Sequence, residues 1–189
     1  GVVGYGNLIL GQDAGNGLTG NSNLISGQGA GYNVTGDMNL ISGQGAGNGL
    51  TGNSNLISGQ DAGQNVTGDS NLILGQEAAT FSQGSYNIYS GMHAGYAAQG
   101  SNNSNMGYNT GDRVVGDYNS AVGDNAGSFL EGSGNVAMGR MAGSVYGYSE
   151  NTGYVDRQNQ PVSGSKPLLK VSNTVSLGNF SLSLKDSGV

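Results

Sequence analysis

Asparagine returns every sixteen residues along this chain, at Asn7, Asn23, Asn39, Asn55, Asn71, Asn87, Asn103, Asn119, Asn135 and Asn151. A fixed period of that length marks a stacked repeat, in which each unit covers the apolar face of the next. With Asn as column one, column five is Gly in nine consecutive repeats, Gly11 through Gly139, and column fourteen is Gly in eight, Gly20 through Gly132. A typical repeat, residues 23–38, reads NLISGQGAGYNVTGDM. Columns two to four (Leu24, Ile25, Ser26) are short and β-prone, and the Gly that follows permits the positive φ of a tight corner. Column eight is mostly Ala and column nine mostly Gly, which lets neighbouring backbones approach closely. Column eleven alternates Gly17, Asn33, Gly49, Asn65; these residue types occupy the left-handed region most readily, so φ > 0 is predicted there. Column twelve (Leu18, Val34, Leu50, Val66) predicts a second short strand.

About ten such coils predict an all-β, parallel β-solenoid: a flattened roll with like side chains about 4.8 Å apart, forming a rod roughly 45–50 Å long. In that stack the column Asn7, Asn23, Asn39, Asn55, Asn71, Asn87, Asn103, Asn119 and Asn135 becomes a structural ladder, each amide bonded to the next. The first four coils are nearly two copies of a 32-residue unit, since GNGLTGNSNLISGQ occurs at 15–28 and again at 47–60.

Composition closes off other classes. Gly supplies 38 of 189 residues, but Pro occurs twice and Gly does not fall every third position, so collagen is excluded. Disordered tracts do not hold Leu, Ile and Val in phase over more than a hundred residues. The net charge of −6, with only Arg113 and Arg140 basic before residue 157, leaves no face to track phosphates, so nucleic acid is not an expected partner. Absence of Cys fits folding outside the cell without redox help. No apolar run reaches the length of a membrane-spanning helix, so this segment is not expected to insert into a bilayer, and it reads as a piece of something longer.

Catalytic and metal chemistry find no foothold. GNGLTG at 15–20 and 47–52 matches the dinucleotide fingerprint GxGxxG, but that motif works between a strand and a helix, and equivalent coils carry GYNVTG and GQNVTG. Asp37 and Asp69 share a column two coils apart, about 10 Å, too far for one ion, and read as solvated turn carboxylates. One His, no Cys and no acid paired with a nucleophile make no catalytic constellation, so neither enzyme activity nor a cofactor is expected.

Both faces of the first strand are apolar, with Leu in column two and Ile in column three. One face fills the roll; the reading here places the other, Ile9, Ile25, Ile41, Ile57 and Ile73, outside as an intersubunit seam. The few large apolar residues per coil fall short of the ordering cost of sixteen residues, which also favours oligomerisation, and a small cross-section suits three chains about an axis.

Three segments carry a family likeness: SGNVAMG (133–139), DYNSAVG (117–123) and NTVSLG (173–178) resemble the NSVAIG-type repeat in head domains of trimeric autotransporter adhesins. The repeat is also similar to the GxNAGxxTGxNVAIG-type repeats of bacteriophage tail fibres. The resemblance implies a homotrimer of left-handed parallel β-rolls displayed extracellularly, on a bacterial surface or a virion tail. In the first form the head binds host matrix or surface receptors, protein or glycan; in the second the fibre binds a bacterial surface. Coils one to five depart from it, with Leu-Ile-Ser or Leu-Ile-Leu in place of Val-Ala-Ile. A different class, an ice-binding or purely structural solenoid, would use the ladder Thr19, Thr35, Thr51, Thr67.

From Thr80 the repeat drifts and aromatics enter. Tyr86, Tyr89, His93, Tyr96, Tyr108 and Tyr118 are the candidate ligand-binding residues, because Tyr offers large contact area at low entropy cost; gap filling inside the roll is the competing role. Two regions are expected: a β-roll over 1–150, and over 151–189 an irregular linker (151–166) followed by capping strands in LLKV, NTVSLG and FSLSL.

Overall fold

A computed structural model describes residues 1–144, 146–149, 153–156, 169–178 and 180–183. The chain is a β-solenoid, with no helix among the described residues. Column two to four of each coil forms one strand of a single sheet: β1 (Leu8–Leu10), β2 (Leu24–Ser26), β3 (Leu40–Ser42), β4 (Leu56–Ser58), β5 (Leu72–Leu74), β6 (Ile88–Ser90), β7 (Ser104–Met106) and β8 (Ser120–Val122). These pair in parallel with a sixteen-residue register, Leu24 on Leu40 and Ile25 on Ile41. After β9 (Leu130–Glu131) comes β10 (Val136–Met138), which continues the sheet.

The second strand of each coil is shorter than expected. Column thirteen pairs through single bridges, Val3–Thr19–Thr35–Thr51–Thr67–Gln83–Gln99–Val115–Glu131, because the chain bends again after one residue. Hydrogen bonding nevertheless continues through the corners. In the coil 23–38, the N–H groups of Gly27, Gly29, Asn33, Gly36 and Met38 donate to the preceding coil, and those of Leu24, Gly31 and Thr35 donate to the following one, all at 2.8–2.9 Å. The corners can do this because φ is positive at six of sixteen residues: Gly27, Gly29, Gly31, Asn33, Gly36 and Met38. Column eleven is left-handed as its Gly and Asn predict, and it stays so where Phe81, Ala97, Arg113 and Phe129 occupy it. Columns seven and sixteen are left-handed too, with Asp13 and Ser22 as first examples; the Asp and Gly of column seven suit that region, while the Ser and Met of column sixteen do not announce it.

The inside is one side chain thick. Ile25, Ile41, Ile57 and Ile73 are fully buried against Leu18, Val34, Leu50 and Val66 of column twelve and against Ala30, Ala46, Ala62 and Ala78 of column eight. This corrects the expected seam: the Ile9, Ile25, Ile41, Ile57, Ile73 column faces the roll's own core. The reason is Gly of column nine, over which the isoleucine lies so closely that a Cβ on Gly31 would meet Ile25 Cδ1 at 2.7 Å. It is the leucine column that points outward. Volume is conserved across the drift: where Tyr89 replaces Ile, column twelve shrinks to Ser82 and Ala98.

Two side-chain ladders tie the coils. Inside, the Nδ2 and backbone N–H of Asn39 donate to Asn23 Oδ1 at 3.1 and 2.9 Å, while the same Nδ2 reaches Gly52 O at 2.8 Å. This is the predicted ladder, and it leaves each buried amide satisfied. A second ladder runs the other way at the exposed corner, where Asn21 N–H donates to Asp37, Asp37 to Asn53, Asn53 to Asp69 and Asp69 to Ser85. Asp37 and Asp69 are therefore acceptors in a ladder, not merely solvated carboxylates. Alternating Asp with Asn keeps like charges two coils apart, one physical source of the 32-residue unit.

The tail rejoins the stack. β11 (Tyr146–Ser149) and β12 (Gly153–Asp156) form an antiparallel hairpin. The expected irregular linker thus contains a strand; the rest of 151–166 lies outside the described residues. β13 (Leu169–Lys170) then pairs in parallel with β9, and β14 (Thr174–Leu177) with β10, at a spacing of 39 residues instead of 16. Asn151 lies outside the described residues, and Thr174 takes the rung above Asn135, donating from N–H and Oγ1 to Asn135 Oδ1 at 3.0 and 2.8 Å. β15 (Phe180–Ser183) closes the sheet in antiparallel sense, the capping role expected of FSLSL.

Candidate functional site

Two surfaces stand out from a lattice that is otherwise polar and small. The first is the outer face of the sheet. Leu8, Leu40, Leu56 and Ile88 are exposed, Leu8 at 55% and Leu40 at 38%, with Leu24 and Leu72 half-buried between them. The sixteen-residue register makes these six one continuous column about 24 Å long. Ser104 and Ser120 end it.

The second surface is the turn edge, columns six to eleven. Through coil four it carries Gln, Asn, Asp and Gly, with Tyr32 the single aromatic. In coils five to eight the same columns bring in Phe81, His93, Tyr96, Tyr108, Arg113 and Phe129. Sixteen-residue stacking sets these side by side. The Phe81 and Tyr96 rings meet edge to face at 5.9 Å, and His93 lies 6.5 Å from Tyr96 and 6.4 Å from Tyr108. The Arg113 guanidinium sits over both Tyr96 (5.9 Å) and Phe129 (5.3 Å), a cation–π arrangement that fixes its long side chain.

Charges on this edge are paired. His93 Nε2 is 3.5 Å from Glu77 Oε2, and Arg113 Nη1 is 3.6 Å from Asp112 Oδ2. Asp112 is buried, and among the described residues its Oδ1 has no hydrogen-bond partner. Burial pushes its carboxyl up to about 6, and the Arg113 charge offsets only part of that rise. A buried carboxylate oxygen without a donor is uncommon in a folded chain and is held here at a cost in stability.

Of the sequence candidates, the structure brings together His93, Tyr96 and Tyr108. Tyr86 and Tyr118 lie elsewhere, both in column sixteen, two coils apart and exposed at 64% and 68%. Tyr89 is a correction: it occupies column three, points into the roll and is sealed from any outside ligand, and its burial pushes the phenol well above its usual range. Phe81, Arg113, Asp112 and Glu77 were not among the candidates. A signal for two of them was present, since Phe81 and Arg113 are bulky residues in a column already read as left-handed.

The described residues hold no group of three or more His, Cys, Asp or Glu able to share a metal ion. Among the described residues, no helix is long and apolar enough to cross a membrane. No family model, curated protein or solved structure matches this chain.

Proposed function

We propose that this chain is the shaft and binding segment of an extracellular attachment fibre, three copies of which associate through their leucine columns. The observation that carries the reading is the continuous apolar column of Leu8, Leu24, Leu40, Leu56, Leu72 and Ile88 in one register on the outside of the rod. A rod whose coils are all hydrogen-bonded to their neighbours holds a binding edge away from its base, which is what attachment needs. The partner is a surface protein, a matrix protein or a glycan. Such a fibre serves equally as a bacterial adhesin head or as a bacteriophage tail fibre.

Sedimentation equilibrium tests the assembly. The wild type should sediment at three times the chain mass, and a Leu40→Ser/Leu56→Ser variant at one, with unchanged circular dichroism. A monomeric wild type at all concentrations would overturn the fibre reading. A lattice-binding rod is favoured by one observation, the exposure of Thr19, Thr35, Thr51 and Thr67 in register. That reading requires thermal hysteresis in dilute solution.

A further inference from the structure

We propose, resting on the attachment reading above, that the turn edge of coils five to eight is a binding site for a neutral saccharide, built on Phe81, His93, Tyr96 and Tyr108 with Arg113 beside them.

Backbone conformation points there first. Phe81, His93, Arg113 and Phe129 adopt φ of 62°, 57°, 53° and 58°, in the left-handed region where bulky side chains are strained. The first four coils show what the lattice accepts without that strain: column eleven holds only Gly and Asn, and column seven only Asp and Gly. Bulky residues also take that conformation away from the edge, at Met38, Tyr86 and Tyr118 of column sixteen, so what sets this edge apart is that Phe81, His93 and Arg113 stack beside Tyr96 and Tyr108. Arg113 is the second sign: its guanidinium, on a side chain 39% exposed, lies over the Tyr96 ring at 5.9 Å and brings a polar group to the aromatic edge.

The chemistry selects the ligand class. Exposed ring surface, Phe81 at 50% with Tyr96 and Tyr108 half-buried, fits the C–H face of a pyranose. The Glu77 carboxylate accepts from sugar hydroxyls, while His93 and Tyr108 add groups that donate or accept. Glu77 lies 3.5 Å from His93 and Asp112 3.6 Å from Arg113, so acidic and basic groups alternate along the edge and neither forms a block to attract a strongly charged ligand. Its length, three coil spacings or about 14 Å, suits a few sugar residues and is short for a protein interface, which buries about 800 Å² a side.

Saturation-transfer NMR on the intact chain with maltotetraose, cellotetraose and mannotetraose provides the test. Phe81→Asn and Tyr96→Gln are the variants, each substituting a residue that the same column already carries at Asn33, Asn65 or Gln64. We expect transfer to at least one sugar by the wild type, and its loss in both variants while their melting temperatures hold or rise. No transfer to any of the three, or transfer unchanged in both variants, would overturn the assignment. Sedimentation of the same samples separates the two readings: a monomer that binds sugar removes the fibre alone, and a trimer that binds none removes the saccharide site alone.

Discussion

Coils one to four and coils five to eight share one backbone and almost no surface. In the first region the residues repeat nearly verbatim over 32 positions; in the second, every column except the Asn and two Gly columns changes. Yet the left-handed residues fall at the same places in both, and the strand register stays at sixteen. The difference teaches which residues define the fold: the corner glycines and the inward amide. All other positions are open to function.

The sharpest way to break the comparison is at a corner. Gly36 has φ 144°, and a Cβ there would collide with the Gly52 carbonyl, so Gly36→Ala should cost more than about 4 kcal/mol in urea unfolding. The equivalent change at Gly100 should cost as much, because the same collision with Gly116 awaits it in the drifted region. The amide ladder should discriminate instead. Asn55→Ala removes an amide-to-amide bond to Asn39, the acceptor used by Asn71 and a bond to Gly68, a loss of about 3 kcal/mol. Asn103 bonds Asn87 through its backbone N–H and Gly116 through its side chain, so Asn103→Ala should cost about 1 kcal/mol less.

Asp112 supplies the pH test. Its folded pKa of about 6 lies above the unfolded 3.8, so the folded state holds the proton more tightly. The resulting penalty is absent below the unfolded value, grows as pH rises from about 4 to 6, and is complete above that. Asp112→Asn should therefore stabilise the chain on the order of 2 kcal/mol at pH 7 and by little at pH 4. The smallest effect is expected at Phe81, where Phe81→Asn should raise stability by less than about 1 kcal/mol, since Asn suits the left-handed region. A large loss there would mean that the ring supports the coil and the two regions differ less than they look.

Much of this was legible. The period, the corner glycines, the Asn ladder and the left-handed column eleven follow from residue types that few other conformations explain. The facing of the strand was not, because Leu and Ile are both apolar and a three-residue strand has no longer alternation to break the tie. Pairing Tyr89 with the shrunken Ser82 and Ala98 would have decided for column three as interior. The opposed corner ladder was hidden because Asp and Asn in turns usually bond locally or to water. The aromatic turn edge was half visible: aromatics announce themselves, but Asp112 gains its character only from being buried.

The chain leaves the roll after Ser144 and takes up the same register at Leu169, so that 23 extra residues are accommodated without disturbing a single rung. The turn edge is thus an open port, a place where sequence can be acquired, exchanged or lost while the shaft keeps its shape. Such a molecule separates change in the sequence it carries at its edge from change in the backbone that repeats beneath it.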